Sequence, residues 1–334
     1  MNSSSTKKTM LSGIQATGDV PHLGNYLGAI KNWVSLQQEY EYFLFIADMH
    51  SLTVHDEKRV LKDNVLKLSA YLLASGIDPE QSTLFVQSQV PQHTQLNWIL
   101  DCVCYMGELS RMTQYKDKSK KAEDNLNVGL FAYPILQAAD ILLYKPHFVP
   151  VGEDQRQHIE LTRDLSERFN KRYKKNIFRI PEPFIKKEGG RIMDFQDPSS
   201  KMSKSSVTTN GVIFLNDTDS AIMKKVKSAV TDSGQSISAE NISPGLKNLL
   251  EVLALLTDKK PELVLQENVG KLYGHFKVEV AEVILETLKP IRERALYLLN
   301  DVTELERLLA KGAEKARAVA EKTLLETYKA VGLK

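Results

Sequence analysis

The stretch SGIQATGDVPHLGNYLGAIKNW, residues 12–33, decides the fold of the amino-terminal half of the chain. It begins in a short apolar run and ends in a segment whose apolar side chains recur at helical spacing. Gly18, His22 and Gly24 lie between the two. A turn from a strand into a helix presents backbone N–H groups and the positive end of the helix dipole, which attract an anion. The stretch predicts a strand, a phosphate-sized turn and a helix; its alternative is a loop histidine before an ordinary helix.

Strand and helix patterns alternate from this stretch to about residue 170. The runs YFLFIAD, STLFVQS and HFVPVG predict buried strands, and long amphipathic segments separate them. Strands joined by helices of this length pair in parallel. The sequence therefore predicts an α/β domain with a doubly wound, Rossmann-like parallel sheet, whose ligands lie beyond the carboxyl ends of the strands.

The composition changes after about residue 176. Residues 179–211 are rich in Pro, Gly, Ser and Lys and predict loops with a hairpin. From residue 217 onward the apolar spacing is helical almost throughout, which predicts a carboxy-terminal all-helical domain. We expect a catalytic domain over 1–200 and a second domain over 201–334.

The charge and cysteine content narrow the function classes. The 334 residues carry 44 basic and 42 acidic side chains, so no strong global field indicates a nucleic acid or a membrane, although a local patch could bind either. The longest apolar stretch is interrupted by Pro134, Gln137 and Asp140 and predicts a buried helix. Cys102 and Cys104, two positions apart on a helix, would point to different faces, so we expect neither a disulfide between them nor a metal site. We expect a reduced cytoplasmic protein with no resident metal and no membrane span.

A second motif, KMSKS at residues 201–205, lies in the loop-rich segment. Lys201 and Lys204 are suited to closing on a polyphosphate, where they would offset charge that develops on a leaving group. Taken alone, such a loop is usually solvated surface.

Asp140 is the third feature, because it lies on an otherwise apolar helix. A buried carboxylate is costly without a partner, and a ligand N–H would supply one. The alternatives are that it caps a neighbouring helix or pairs with a buried arginine.

Six blocks of the chain, in order, resemble the bacterial tryptophanyl-tRNA synthetases, a family of class I aminoacyl-tRNA synthetases. The blocks are SGIQATGDVPHLGNYLGAIKNW, GELSRMTQYKDKS, YPILQAADILLY, VPVGEDQRQHIELTRDLSERFN, RIMDFQDPSSKMSKS and VKSAVTDSG. The resemblance implies that the enzyme joins L-tryptophan to ATP, releases pyrophosphate, and passes the acyl group to tRNA(Trp). ATP would act with Mg²⁺, and residues 201–334 would bring a mobile loop and an anticodon-binding helical domain.

The resemblance also implies a role for each site residue. The residues expected to act on the phosphates are His22, Lys116, Lys201 and Lys204. The residues expected to contact ATP are Gln15, Ala16, Thr17, Gly24, Asn25, Gly152, Glu153, Asp154, Ile192, Met193, Lys201, Met202, Ser203, Lys204 and Ser205. The residues expected to form the tryptophan pocket are Asp140, which would accept the indole N–H, Tyr133 and Gln155, which would bind the α-amino group, and His50, Val149, Val151, Gln137 and Leu11.

One position departs from the family. Gln137 stands where many members have Met, and QAAD is similar to the tyrosyl enzymes. The tyrosyl pocket also uses a tyrosine from the first strand, and Leu11 at that position suits an indole better than a phenol. Tryptophan therefore stays the expected substrate, with a tyrosyl enzyme or a tRNA-independent adenylyl transferase as an alternative.

A catalytically silent relative that only binds RNA or a protein is the alternative from another class. Such a copy should have lost His22, Lys201 or Lys204, and this chain has all three. We also expect a homodimer, from the resemblance and from the apolar helices at 65–73 and 96–106, whose outer faces would need cover.

Overall fold

The computed structural model describes residues 7–16, 18, 20–53, 60–116, 127–184, 191–204, 209–240 and 242–334. Within them lies one parallel sheet with the strand order β3-β2-β1-β4-β5. Its strands are β1 (Thr9–Ile14), β2 (Glu41–Ile46), β3 (Ser82–Val86), β4 (Phe148–Pro150) and β5 (Glu182–Phe184). The predicted fold class is confirmed. The sequence did not predict β5, because its three residues carry a charge and a proline and bury little apolar surface.

The helices fall into two groups along the chain. The amino-terminal group is α1 (Leu23–Asn25), which continues through a π-helical turn (Tyr26–Ile30) into α2 (Lys31–Leu36), then α3 (Asp48–Ser51), α4 (Leu61–Ala74), α5 (Gln92–Asp101), α6 (Met106–Leu109), α7 (Val128–Leu142) and α8 (Arg156–Tyr173). The carboxy-terminal group is α9 (Asp219–Lys227), α10 (Pro244–Thr257), α11 (Pro261–Asn268), α12 (Tyr273–Asn300) and α13 (Val302–Val331).

The central strands are apolar on both faces, as a sheet covered on both sides requires. Met10 and Leu44 face a core that includes α4 and the carboxy-terminal helices α9 to α12. Leu11, Phe43 and Phe45 face the opposite core, which α5, α7 and α8 complete. The carboxy-terminal helices thus share hydrophobic cores with the sheet, and a boundary at residue 200 stays a prediction.

The outer face of helix α4 does not need a second subunit. Val65, Leu68 and Leu72 are buried, and α12 of the same chain packs along α4. The expectation that residues 65–73 present an uncovered apolar face is therefore wrong. The sequence alone could not show this, because the covering helix lies about 200 residues downstream in the chain.

Helix α13 lies against the backbone of the edge strand β3. A Cβ at Gly312 would lie 1.8 Å from the carbonyl oxygen of Leu84, so only glycine permits this approach. Ala313, Ala316 and Ala320 pack beside it on the sheet. Within the described parts of the chain, no helix is both long and apolar enough to cross a bilayer.

Candidate functional site

The candidate site lies at the carboxyl edge of the sheet, between β1 and β4. From β1 the chain builds β2 and β3 on one side, and then places β4 and β5 on the other. The connections therefore leave in opposite directions at β1 and β4, and such a switch point opens a crevice in doubly wound sheets. Residues 15–22 follow β1 and residues 151–155 follow β4, so both predicted ATP segments border this crevice.

His22 forms the amino-terminal cap of helix α1. Nδ1 of its ring accepts a hydrogen bond from the backbone N–H of Asn25 at 3.2 Å, and the backbone N–H of His22 donates to Oδ1 of Asn25 at 3.1 Å. The ring is buried. Because Nδ1 accepts a hydrogen bond, a neutral ring carries its proton on Nε2.

The segment that follows KMSKS in the chain pairs with the residues around His22. Leu23 donates its N–H to the carbonyl of Ile213 at 2.8 Å, and Leu215 donates to the carbonyl of Pro21 at 3.0 Å. His22 and Phe214 therefore face each other as in an antiparallel ladder. This pairing fixes the amino-terminal turn to the second half of the chain.

Residues 191–204 form the predicted hairpin. Met202 donates its N–H to the carbonyl of Ile192 at 3.0 Å, and Asp194 donates to Ser200 at 2.9 Å. Ile192 and Met202 are buried, whereas Lys201 on the same arm is exposed. The hairpin therefore turns its apolar side chains inward and its lysines outward.

Lys204 extends over the turn that follows β1. A Cβ built on Gly18 would lie 2.9 Å from Nζ of Lys204, so the glycine leaves room for the ammonium group. A Cβ on Gly24 would likewise lie 3.6 Å from Cβ of Met202. The structure thus brings together the two motifs, which are about 180 residues apart in the sequence.

The electrostatics of this half of the site favour an anion. Burial, and then the charges of Lys204 and Lys201, lower the pKa of His22 to about 4. The imidazole is therefore neutral at pH 7 and donates through Nε2, while the lysines supply the positive charge. Backbone amides at the start of a helix together with lysines suit a phosphate group.

Asp140 on α7 occupies a separate, fully buried part of the site. Its Oδ2 lies 2.8 Å from Nε2 of His50, its Oδ1 lies 2.6 Å from Nδ1 of His93, and Nε2 of Gln87 donates to both oxygens at 2.8 and 2.9 Å. Beyond it, Nε2 of His93 lies 2.9 Å from the Tyr144 hydroxyl. Burial by itself raises the pKa of the Asp140 carboxyl, but the hydrogen bonds from His50 and His93 outweigh it and lower the pKa to about 2.

These contacts correct the sequence-based argument about Asp140. Its carboxylate has three protein partners, so burial does not require a ligand, and these partners are neither a helix end nor an arginine. Sequence reasoning identified His50 but missed Gln87, His93 and Tyr144. Gln87 could have been found, because it follows β3 just as residues 48–50 follow β2 at the same edge of the sheet.

Tyr133 links the Asp140 pocket to the segment after β4. Its hydroxyl donates to Oε1 of Gln114 at 3.1 Å and lies 2.9 Å from Nε2 of His158, and its ring meets that of His50 edge-on at 6.2 Å. Gln114 in turn donates to the carbonyl of Asp154 at 3.1 Å. Gln114 and His158 are further residues of this region that sequence reasoning missed.

The remaining predicted residues divide by exposure. Leu11 and Val149 are buried in the sheet, Ala16 is buried, and Val151 and Gln137 are half-buried. The half-buried or exposed residues are Gln15, Gly24, Asn25, Lys116, Gly152, Asp154, Gln155, Met193 and Ser203. Thr17 and Ser205 lie outside the described residues, and of Glu153 only the backbone is described. In the described residues, no three His, Cys, Asp or Glu side chains are grouped so that they could hold a metal ion.

Comparison with known proteins gives consistent matches over the whole length. A family model described as "tRNA synthetases class I (W and Y)" matches residues 3–289. A tryptophan–tRNA ligase of Clostridium perfringens is 50% identical over 327 residues, which cover 98% of both chains. Tryptophan–tRNA ligase 2 of Streptomyces avermitilis is 52% identical over 332 residues, again with 98% of both chains covered.

Solved structures agree with these relatives. Tryptophanyl-tRNA synthetase from Mycoplasma pneumoniae superposes with a TM-score of 0.88 at 38% identity, covering 98% of this chain and 99% of the other. The enzyme from Campylobacter jejuni, complexed with ADP and tryptophan, gives 0.84 at 36% identity, with 97% and 99% covered. A tyrosyl-tRNA synthetase from Aeropyrum pernix, at 19% identity, TM-score 0.66 and coverage of 92% and 90%, shares the fold alone.

The low pKa of His22 makes stability depend on pH. In the folded state the pKa of His22 is about 4, so the ring binds a proton only below about that pH. In the unfolded state a histidine with the ordinary pKa of about 6.5 already binds one below about pH 6.5. Stability contributed by the neutral ring is therefore lost as the pH falls from about 6.5 to 4, by on the order of 2–3 kcal/mol. We expect His22→Asn, which keeps a capping oxygen, to remove this part of the pH dependence of the free energy of unfolding in urea. His275→Asn, at an exposed position, is the control, and equal pH slopes for wild type and His22→Asn would contradict the prediction.

Proposed function

The chain belongs to the class I tRNA synthetases, among the bacterial tryptophan–tRNA ligases, and from that premise we propose how its own residues perform the reaction. The enzyme activates L-tryptophan with ATP, forms tryptophanyl-adenylate and pyrophosphate, and transfers tryptophan to tRNA(Trp). The observation that carries our residue assignment is the convergence of His22 with the lysine hairpin at the switch point of the sheet, beside a separately buried carboxylate.

ATP occupies the crevice between the β1 turn and the β4 turn in this proposal. Its adenine lies against Ile192 and Met193, its ribose against residues 152–154, and its phosphates against the amides of residues 15–25. Lys201 and Lys204, helped by Lys116 and by Mg²⁺ carried with ATP, stabilise the charge that moves onto pyrophosphate. His22 donates from Nε2 as a neutral group, consistent with its low pKa. No protein nucleophile is needed, because the tryptophan carboxylate attacks the α-phosphate directly.

Tryptophan enters beside Asp140, and its indole N–H becomes a donor to that carboxylate. Asp140 is 0% exposed, and three donor groups, those of His50, Gln87 and His93, already surround its two oxygens. The indole therefore replaces one of them, and we assign this role to His50. His50 keeps 5% exposure and borders Tyr133, whereas His93 is 0% exposed and also contacts Tyr144.

The α-amino group of tryptophan binds near Tyr133 and Gln155 in this proposal, and Leu11, Val149, Val151 and Gln137 shape the indole pocket. The relatives near 50% identity that match 98% of this chain are tryptophan–tRNA ligases. They support tryptophan as the substrate over the tyrosine that Gln137 left open as an alternative. We further propose that residues 1–200 hold the ATP and tryptophan sites and residues 201–334 the mobile loop and the anticodon-binding helices. Because aminoacyl-tRNA is consumed in the cytoplasm, we assign the protein to that compartment.

The lysine hairpin predicts a specific kinetic defect. We expect Lys204→Ala to slow tryptophan-dependent ATP–pyrophosphate exchange by roughly a hundredfold or more, while tryptophan binding without ATP changes little, because the lysine acts on charge that develops in the transition state. Exchange with each of the twenty amino acids tests the substrate in the same assay. Lys322→Ala, an exposed lysine on α13, is the control. If Lys204→Ala weakened tryptophan binding as strongly as exchange, the hairpin would have a structural role instead.

Asp140→Asn separates the structural and the recognition roles of that carboxylate. The amide cannot accept from both histidines and Gln87, so we expect the free energy of unfolding to fall by about 2–4 kcal/mol. In the folded protein at low temperature, kcat/KM for tryptophan should fall by on the order of tenfold to a few hundredfold. Selectivity over phenylalanine should shrink in parallel, because phenylalanine has no indole N–H.

The control for this variant is Asp101→Asn on α5, a partly buried carboxylate that accepts a hydrogen bond from Nδ2 of Asn97. A destabilised Asp140→Asn enzyme that keeps full selectivity would show that the indole N–H is recognised elsewhere.

We propose a homodimer whose interface includes the exposed apolar side chains of Trp98, Tyr105, Met106 and Val128. These side chains are 57–80% exposed although they are large and apolar. Light scattering at micromolar protein should give twice the 37.7 kDa chain mass, and Trp98→Lys should shift it toward the monomer. Tyr297→Lys, an aromatic side chain 66% exposed on α12, is the matched control. A monomeric wild type would contradict the proposal.

A further inference from the structure

The lysine hairpin has an open backbone edge at Met193. Met193 lies opposite Lys201, and the ladder bonds of the hairpin are made by its neighbours, Ile192 with Met202 and Asp194 with Ser200. In an antiparallel pair the residues between such bonds point their own N–H and C=O away from the partner strand. The N–H and C=O of Met193 therefore face outward and need partners from elsewhere.

Asn248 on helix α10 supplies both partners. Its Nδ2 donates to the carbonyl of Met193 at 2.9 Å, and its Oδ1 accepts the N–H of Met193 at 2.9 Å. The side chain is 2% exposed, so water does not compete for these bonds. A single amide group thus takes the place of a third strand.

Helix α10 also contacts the far end of the hairpin. A Cβ at Gly245 would lie 1.9 Å from the carbonyl oxygen of Val230 and 3.4 Å from Cγ of Pro198. Val230 donates its N–H to the carbonyl of Phe195 at 2.7 Å. The helix therefore holds the hairpin at its turn by close packing, and at the arm opposite Lys201 by the Asn248 amide.

We infer that Asn248 is a positioning residue for adenylate formation. By binding Met193, which lies opposite Lys201, it fixes the position of Lys201 and Lys204 relative to the turn after β1. The inference rests on the proposed function, because it needs those lysines to act on the phosphates of ATP. Asn248 touches no substrate in this role. It acts through the backbone of the hairpin. Through this contact, helix α10 of the carboxy-terminal group influences the reaction of tryptophan with ATP.

Two substitutions test the role of this amide. Asn248→Asp is nearly isosteric and keeps the acceptor for the Met193 N–H, but it turns an oxygen toward the Met193 carbonyl. Asn248→Leu removes both bonds. The matched control is Asn268→Leu, because Asn268 is also a buried asparagine, 4% exposed, but its Nδ2 donates to the carbonyl of Val264 in its own helix.

We expect both Asn248 variants to lower kcat/KM for ATP in tryptophan-dependent pyrophosphate exchange by on the order of tenfold to a hundredfold, the size of effect that a misplaced catalytic group produces. The Kd of tryptophan measured without ATP should stay within about twofold, since the hydrogen bonds of Asp140 in the described part of the chain go to His50, Gln87 and His93 and none goes to the hairpin. Asn268→Leu should lower Tm without this loss of ATP kinetics. Equal kinetic losses in Asn268→Leu and Asn248→Leu would overturn the inference, because removal of any buried asparagine amide would then be enough to explain the slower reaction with ATP.

A double-mutant cycle with Lys204→Ala gives a second, independent test. If Asn248 acts through the lysines, Asn248→Asp should cost clearly less in the Lys204→Ala background than in the wild type. Full additivity would overturn the inference, and so would wild-type ATP kinetics for a folded Asn248→Asp. A wild-type protein without tryptophan-dependent exchange would instead refute the proposed function, so the two failures are distinguishable.

Discussion

In a parallel sheet the carboxyl ends of all strands lie along one edge, because the backbone hydrogen bonds fix the direction of each strand relative to its neighbours. In this protein that constraint gathers His22, His50, Gln87 and residues 151–155 from four separate crossovers. The position of β1 beside β4 then opens the crevice between them. The pairing of residues 21–23 with residues 213–215 brings the lysine hairpin to the same edge. The site therefore follows from strand direction and strand order.

The two halves of the site, around His22 and around Asp140, have opposite electrostatic properties. Around His22 the ring gives up its proton, since burial and two lysines disfavour a further positive charge. Around Asp140 the side chain keeps its negative charge in spite of complete burial, because histidines and an amide donate to it. A region rich in cations and a buried anion can thus coexist in one crevice. Each half favours a different chemical group, a phosphate in the first and an N–H donor in the second.

The sequence predicted those features that local pattern determines. The strands β1 to β4, the hairpin around KMSKS and the approach of Lys201 and Lys204 to the His22 turn follow from apolar spacing and from two recognisable motifs. The partners of Asp140 could not be predicted in the same way. His93 lies 47 positions and Gln87 lies 53 positions from it. His93 carries no local signal, and for Gln87 the only signal is its position directly after β3. The cover of α4 by α12 and the contact of Asn248 with Met193 depend in the same way on tertiary packing of distant segments.

The contact of α13 with β3 has a consequence for biosynthesis. Strand β3 ends at residue 86, but the helix that lies against its backbone is synthesised about 200 residues later, and Lys311 in that helix pairs with Glu80 across 231 positions. Until then the outer backbone of β3 is open to pairing with another chain. The nascent protein must therefore keep this edge apart from neighbouring chains until α13 has been made, and a chain released before that point has a sheet with an open edge.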